Sequence, residues 1–167
     1  ARCIDVDVKG LKSVLLRAAS HKGAAFIEVL QNCNVFNDGA FAGITKKDAR
    51  AAMLINLEHG EPIRFGPELE RGVMLDEHGL ATIVDIADVG EDRLLVHDVA
   101  AVDPSLAFAL SRLSHGPDMP TPMGIFRQVD RPEYVEATSQ QLAASQEQKG
   151  PGDLETLLHS LPTWDVD

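Results

Sequence analysis

Apolar residues Leu11, Val14, Leu15, Ala18 and Ala19 recur at helical spacing, with Gly10 ahead of them and Lys22-Gly23 behind. This predicts a helix packed on a sheet. Residues 24–30 are apolar at every position but Glu28, which predicts a strand buried on both faces. Before the helix, Arg2-Cys3-Ile4-Asp5-Val6-Asp7-Val8 alternates apolar and polar residues like the tail of a strand. A short helix is expected over 45–52 and a strand or extended segment over 53–57. Between residues 59 and 87 the turn signals Gly60-Glu61-Pro62, Phe65-Gly66-Pro67 and Glu77-His78-Gly79 punctuate short runs, as in a small antiparallel excursion at the domain's edge. Leu94-Leu95-Val96-His97 reads as another buried strand. Asp103-Pro104 supplies an N-cap and first-turn proline for a helix carrying Leu106, Leu110 and Leu113. Residues 123–126 predict a further strand, and Pro132 opens a last long helix. The expected fold is α/β, with a mostly parallel sheet flanked by helices over 1–130 and a helical C-terminal arm over 131–167. Within the arm, residues 140–153 read as a solvated helix followed by a Lys-Gly-Pro-Gly break.

Composition narrows the function. With 167 residues, 44% hydrophobic and 25% charged, the chain fits one globular domain with a sizeable core. A net charge of -11 argues against nucleic acid as a partner, since such binding rests on clustered Lys and Arg. No stretch approaches the roughly 20 apolar residues of a membrane span, and no segment resembles a signal peptide, so the expected location is cytoplasmic. Cys3 and Cys33 are too few for a disulfide scaffold and are expected to be free thiols or metal ligands. Because the chain opens at Ala1 already in a strand-like pattern, it reads as a piece of something longer.

The conspicuous chemical group is Cys33, set in Gln31-Asn32-Cys33-Asn34-Val35-Phe36-Asn37 where the apolar run becomes a loop. In open α/β sheets, ligands are held at the carboxyl ends of strands. The neighbouring Asn residues suit a tight, irregular turn. Cys33 paired with His97 would make a nucleophile and base for a thiol enzyme, although nothing in the spacing supports it. His97-Asp98 at a strand end reads as structural, because adjacent strand residues point to opposite faces. The six His show neither an i,i+4 pair nor HExxH. Glycine-rich phosphate loops are absent, and Gly116-Pro117 and Gly150-Pro151-Gly152 are turn signals. Cys3 reads as a core thiol, and Trp164 as an anchor for the tail in a groove. A stand-alone interaction module docking through residues 59–87 is a further reading of the same residues.

The segment His21-Lys22-Gly23-Ala24-Ala25-Phe26-Ile27-Glu28-Val29-Leu30-Gln31-Asn32-Cys33-Asn34-Val35-Phe36-Asn37-Asp38-Gly39 resembles the one that closes the thiamine-diphosphate domain in β subunits of 2-oxoacid:ferredoxin oxidoreductases. His59-Gly60-Glu61-Pro62-Ile63-Arg64-Phe65-Gly66, Leu94-Leu95-Val96-His97-Asp98, the block from Asp103 to Leu113, Gly124-Ile125-Phe126-Arg127 and Thr163-Trp164 resemble the 2-oxoglutarate branch of that subunit in colinear order. The resemblance implies the second half of a thiamine-diphosphate-binding fold. The complete enzyme would join this β subunit, its N-terminal half included, to an α subunit and use thiamine diphosphate, Mg²⁺ and a [4Fe-4S] cluster. It would oxidatively decarboxylate a 2-oxoacid with CoA and pass electrons to ferredoxin. Cys33 would be the fourth cluster ligand, the other three coming from an N-terminal CxxC and a further cysteine. The family's GDG motif, its following Asn residues and its CxxC do not occur in this chain. The isolated chain is therefore expected to hold neither cofactor and to be inactive. Arg64, Arg112 and Arg127 are available for substrate carboxylates, but nothing in the sequence places them in a pocket.

Overall fold

The computed structural model describes residues 1–114, 119–162, 164 and 166. Residues Ala1–Asp130 form one compact unit and Arg131–Asp167 a second. The first runs β1 (Arg2–Ile4), α1 (Val8–Ser20), β2 (Glu28–Leu30), α2 (Ala42–Thr45), α3 (Lys47–Met53) and β3 (Leu54–Leu57). It continues through β4 (Arg64–Phe65), β5 (Arg71–Leu75), β6 (Ala81–Asp85), α4 (Ile86–Val89), α5 (Ser105–Ser111) and β7 (Thr121–Gly124). The fold is mixed α/β, with a four-stranded sheet ordered β2-β1-β7-β3 and a three-stranded sheet ordered β4-β5-β6.

In the larger sheet, β2 pairs parallel with β1 from Arg2↔Glu28 to Ile4↔Leu30, and β3 pairs parallel with β7 from Leu54↔Thr121 to Leu57↔Gly124. The halves meet at one antiparallel pair, Arg2↔Gly124. Beside it, Gly124 adopts φ 112°, a left-handed conformation that turns the chain out of the sheet. The strand therefore ends at 124 instead of running through 123–126. The expected helix after β1 starts earlier than the glycine signal implies. Asp7 caps α1 by accepting the Gly10 N–H at 3.1 Å, so Gly10 lies within the first turn. Only Val14 of α1 is buried.

The apolar run 24–30 departs most from expectation. Only Glu28–Leu30 is strand, it lies at the sheet edge with β1 as its single neighbour, and Phe26 is 84% exposed. A strand needs a sheet neighbour on each side to be buried as a central one is, and β2 has one.

The antiparallel excursion is also more than an edge feature. Its Ile63, Phe65 and Val73 share the main core with Ile55, Leu110, Leu113 and Phe126. Asp76 shapes its hairpin by accepting the His78 and Leu80 N–H groups at 2.9 and 2.8 Å, with Gly79 at φ 75°. Residues 94–97 form a bridge rather than the expected strand. Val73 N–H takes the Ile63 carbonyl and Gly60 N–H takes the His97 carbonyl, so the ladder stops on both sides of Pro62↔Val96. Asp103 accepts the Ser105 N–H at 2.7 Å just ahead of α5, but the N-cap is Pro104, one residue later than the expected Asp103.

The second unit contains α6 (Tyr134–Lys149) and α7 (Leu154–Leu158), and none of its described residues is buried. Gly150, at φ 81°, ends α6. The short α7 has no separate counterpart in the sequence pattern as read above. No helix among the described residues is long and apolar enough to cross a membrane.

Candidate functional site

Two strands aim the Cys33 loop. Arg2 on β1 and Glu28 on β2 stand opposite in register, with Arg2 Nε 2.6 Å from Glu28 Oε2. The buried guanidinium also lies over the Phe126 ring, 5.3 Å from its centroid, and donates to the Ser111 carbonyl at 3.3 Å. This pair ties the edge strand that leads into the loop to the interior. It explains the lone charge in an otherwise apolar run.

Beyond Leu30 the loop is held by its own Asn side chains. Asn32 Nδ2 donates to Asn34 Oδ1 at 2.8 Å and to Asp38 Oδ1 at 3.1 Å, while Asn32 Oδ1 accepts the Gly39 N–H at 2.9 Å. Asn37 closes the turn on Cys33 from both directions. Its Oδ1 accepts the Cys33 N–H at 2.9 Å, and its N–H donates to the Cys33 carbonyl at 3.0 Å. The backbone N–H of Phe36, then those of Val35 and Asn37, favour the ionised sulfur and hold the Cys33 thiol below its ordinary range. Cys33 is half-buried, whereas Val35 and Phe36 beside it are exposed. A thiol whose ionised form is favoured in this way can ligate a soft metal centre or act as a nucleophile.

Among the described residues no side-chain base is hydrogen-bonded to the Cys33 sulfur. His97 is fully buried, with Nε2 2.8 Å from the Ile125 carbonyl and no hydrogen bond to Cys33. Asp98 points elsewhere, its Oδ1 accepting the Ala100 N–H at 2.8 Å and lying 3.6 Å from His59 Nδ1. The structure does not assemble the Cys33–His97 pair that a thiol enzyme requires.

Cys3 lies in the core, where burial raises its thiol pKa. Among the described residues no three His, Cys, Asp or Glu side chains gather to hold a metal. Arg64 pairs with Glu91 at 3.0 Å, Arg127 donates to the Ala101 and Val102 carbonyls at 2.9 and 2.6 Å, and Arg112 lies over Phe108. Trp164 is 84% exposed within the second unit's tail. His115, Gly116-Pro117 and Thr163 lie outside the described residues.

One cysteine does not fit a cubane that needs four ligands, and the chain carries no phosphate-cradling motif for a diphosphate cofactor. Fold and site together define a mixed α/β segment that presents, where a parallel strand ends, one thiol whose ionised form the loop amides favour. Across 99% of its length this chain is 44% identical to the 2-oxoglutarate oxidoreductase subunit KorB of Mycobacterium tuberculosis, and it spans 44% of that subunit. That likeness supports a KorB-like β subunit of the 2-oxoacid oxidoreductase family. No family model and no solved structure matches the chain.

Proposed function

We propose that this chain is part of the β subunit of a 2-oxoacid:ferredoxin oxidoreductase, with 2-oxoglutarate as the substrate. The complete enzyme would carry out CoA-dependent oxidative decarboxylation with thiamine diphosphate and Mg²⁺, delivering electrons through a [4Fe-4S] cluster to ferredoxin. The observation that carries this reading is the Cys33 loop, whose amides favour a thiolate without supplying a base. That environment suits a ligand, because hydrogen bonds to a coordinating sulfur tune a cluster, whereas a nucleophile needs a proton acceptor. The 44% identity to a named 2-oxoglutarate oxidoreductase subunit supports it independently. Cys33 would be one ligand of four. The other three cysteines and the diphosphate site would come from the N-terminal half of the subunit, with an α subunit completing the assembly. A cytoplasmic location, where thiols stay reduced, belongs to the same reading.

The test is anaerobic reconstitution of the complete subunit with its α partner, wild type against Cys33→Ala and Cys33→Ser. Iron content and 2-oxoglutarate- and CoA-dependent dye reduction should both fall in the variants. Unchanged iron and turnover would remove Cys33 from the cluster. Loss of dye reduction with full iron would point to the thiol enzyme instead.

A further inference from the structure

Asp38-Gly39 is the one Asp-Gly pair in the chain, and no Asn-Gly pair occurs. In such a pair the aspartate carboxyl lies beside an amide nitrogen that no Cβ shields, which opens the main chain to intramolecular attack. Both residues are exposed, and a Cβ at 39 would meet nothing within 4 Å. The turn cannot dispense with this glycine. Gly39 adopts φ 75°, a left-handed conformation in which a side chain is strained. Protection of the 38–39 bond therefore has to come from a residue other than 39.

Asn32 supplies it with one side chain. Its Oδ1 accepts the Gly39 N–H at 2.9 Å, and its Nδ2 donates to Asp38 Oδ1 at 3.1 Å. The first bond fixes the direction of the nitrogen that would attack, and the second fixes the carboxyl that would be attacked. The Gly39 nitrogen cannot turn towards Asp38 Cγ until both open. The remaining bonds of the loop, between Asn37 and Cys33 and from Asn32 to Asn34, touch neither reacting group.

We propose that Asp38-Gly39 is a latent isoaspartate site and that the Asn32 carboxamide holds it closed. When the clamp opens, the Gly39 nitrogen attacks Asp38 Cγ. An N–Cγ bond forms, and the amide proton and the carboxyl hydroxyl leave together as water, giving a five-membered succinimide. Water then reopens the ring. Addition at Cγ restores aspartate. Addition at the former main-chain carbonyl breaks its bond to nitrogen and leaves isoaspartate, with the old side-chain methylene now in the main chain and the old carbonyl carbon in a free carboxylate. The Gly39 amide and the carboxylate then no longer stand where Asn32 holds them, and the closure of 32 on 39 is lost. This chemistry needs no cofactor and goes beyond the function proposed above.

The complete protein that contains this chain is aged in warm, neutral buffer beside a free peptide of residues 34–42, and isoaspartate at 38 is counted by digestion and electron-transfer fragmentation. The wild type should form it far more slowly than the peptide. Asn32→Ala should accelerate it about tenfold, because two hydrogen bonds of modest net strength no longer have to open. Asn32→Asp keeps an acceptor for the Gly39 N–H but no donor for Asp38. Its rate should fall between the two, and it carries the test if Asn32→Ala does not fold. Asn37→Ala releases Cys33 but neither reacting group, and should age like the wild type. A wild type that ages as fast as the peptide, or an Asn32→Asp rate no higher than the wild type's, overturns the proposal. So does an Asn37→Ala rate equal to that of Asn32→Ala, since the general order of the loop, and not the Asn32 clamp, would then guard the bond.

Discussion

At the scale of single residues, Cys33 and Cys3 show how position divides one chemistry. Burial raises the Cys3 pKa, while loop amides lower that of Cys33. Alkylation by iodoacetamide should therefore modify Cys33 first, with a rate midpoint below the ordinary thiol value of about 8.5, and leave Cys3 intact until the chain unfolds. Asn37→Ala removes the acceptor of the Cys33 N–H and one of the struts of the turn. Its midpoint should rise towards 8.5, and an unmoved midpoint would show that Phe36 and Val35 hold the thiolate alone. The ionised thiol adds stability above the unfolded pKa, and that contribution disappears as pH falls through the lower folded value. The sequence showed the cysteine and its Asn neighbours but not the wiring, because Asn32 and Asn37 find partners only once the turn brings 32 to 39 and 33 to 37. The Arg2–Glu28 pair likewise appears only once β1 and β2 are in register.

Among the elements, local signals read well where capping chemistry sets them and poorly where neighbours do. Asp103-Pro104 announced α5, and the apolar run over 53–57 announced β3. Residues 24–30 misled because a run's apolarity reports the neighbours a strand needs, and β2 has one. The excursion was visible as turns, but its share of the main core was not, since Ile63, Phe65 and Val73 are separated in sequence from Leu110 and Phe126 by β6, α4 and the 94–104 segment. Gly72 marks that union. A Cβ at residue 72 would overlap the buried Leu94 side chain. Gly72→Ala should thus cost about 1–3 kcal/mol in urea unfolding, the penalty of overpacking, instead of the small gain that removing a strand glycine would otherwise bring. A neutral result would mean that the 94–97 segment yields at little cost.

For the whole molecule, acid stability turns on a buried histidine working against net charge. His97 sits where the 94–97 segment meets residues 61–63 and 125, its ring fully enclosed. The Ile125 carbonyl can only accept, so the neutral ring donates from Nε2, and Nδ1 has no partner among the described residues. Burial lowers the His97 pKa most, and His59 adds to the effect. The Ile125 carbonyl and Asp98 oppose it. In the unfolded chain this ring takes up a proton as pH falls through about 6.5, whereas the folded chain resists until its lower value is reached. Stability should consequently decline below about pH 6.5 and level off beneath the folded pKa. The net charge of -11 predicts the reverse, because approach to a pI near 4.9 relieves self-repulsion. His97→Gln separates the two: it keeps a donor for Ile125, loses the titration and leaves the charge background in place. Urea unfolding at pH 7.5 and 5.5 should show the wild type weakened by acid and His97→Gln little changed or strengthened, from a lower starting stability. Equal losses in both proteins would place the acid sensitivity elsewhere, among the carboxylates whose pKa local hydrogen bonds lower, such as Asp103 and Asp153.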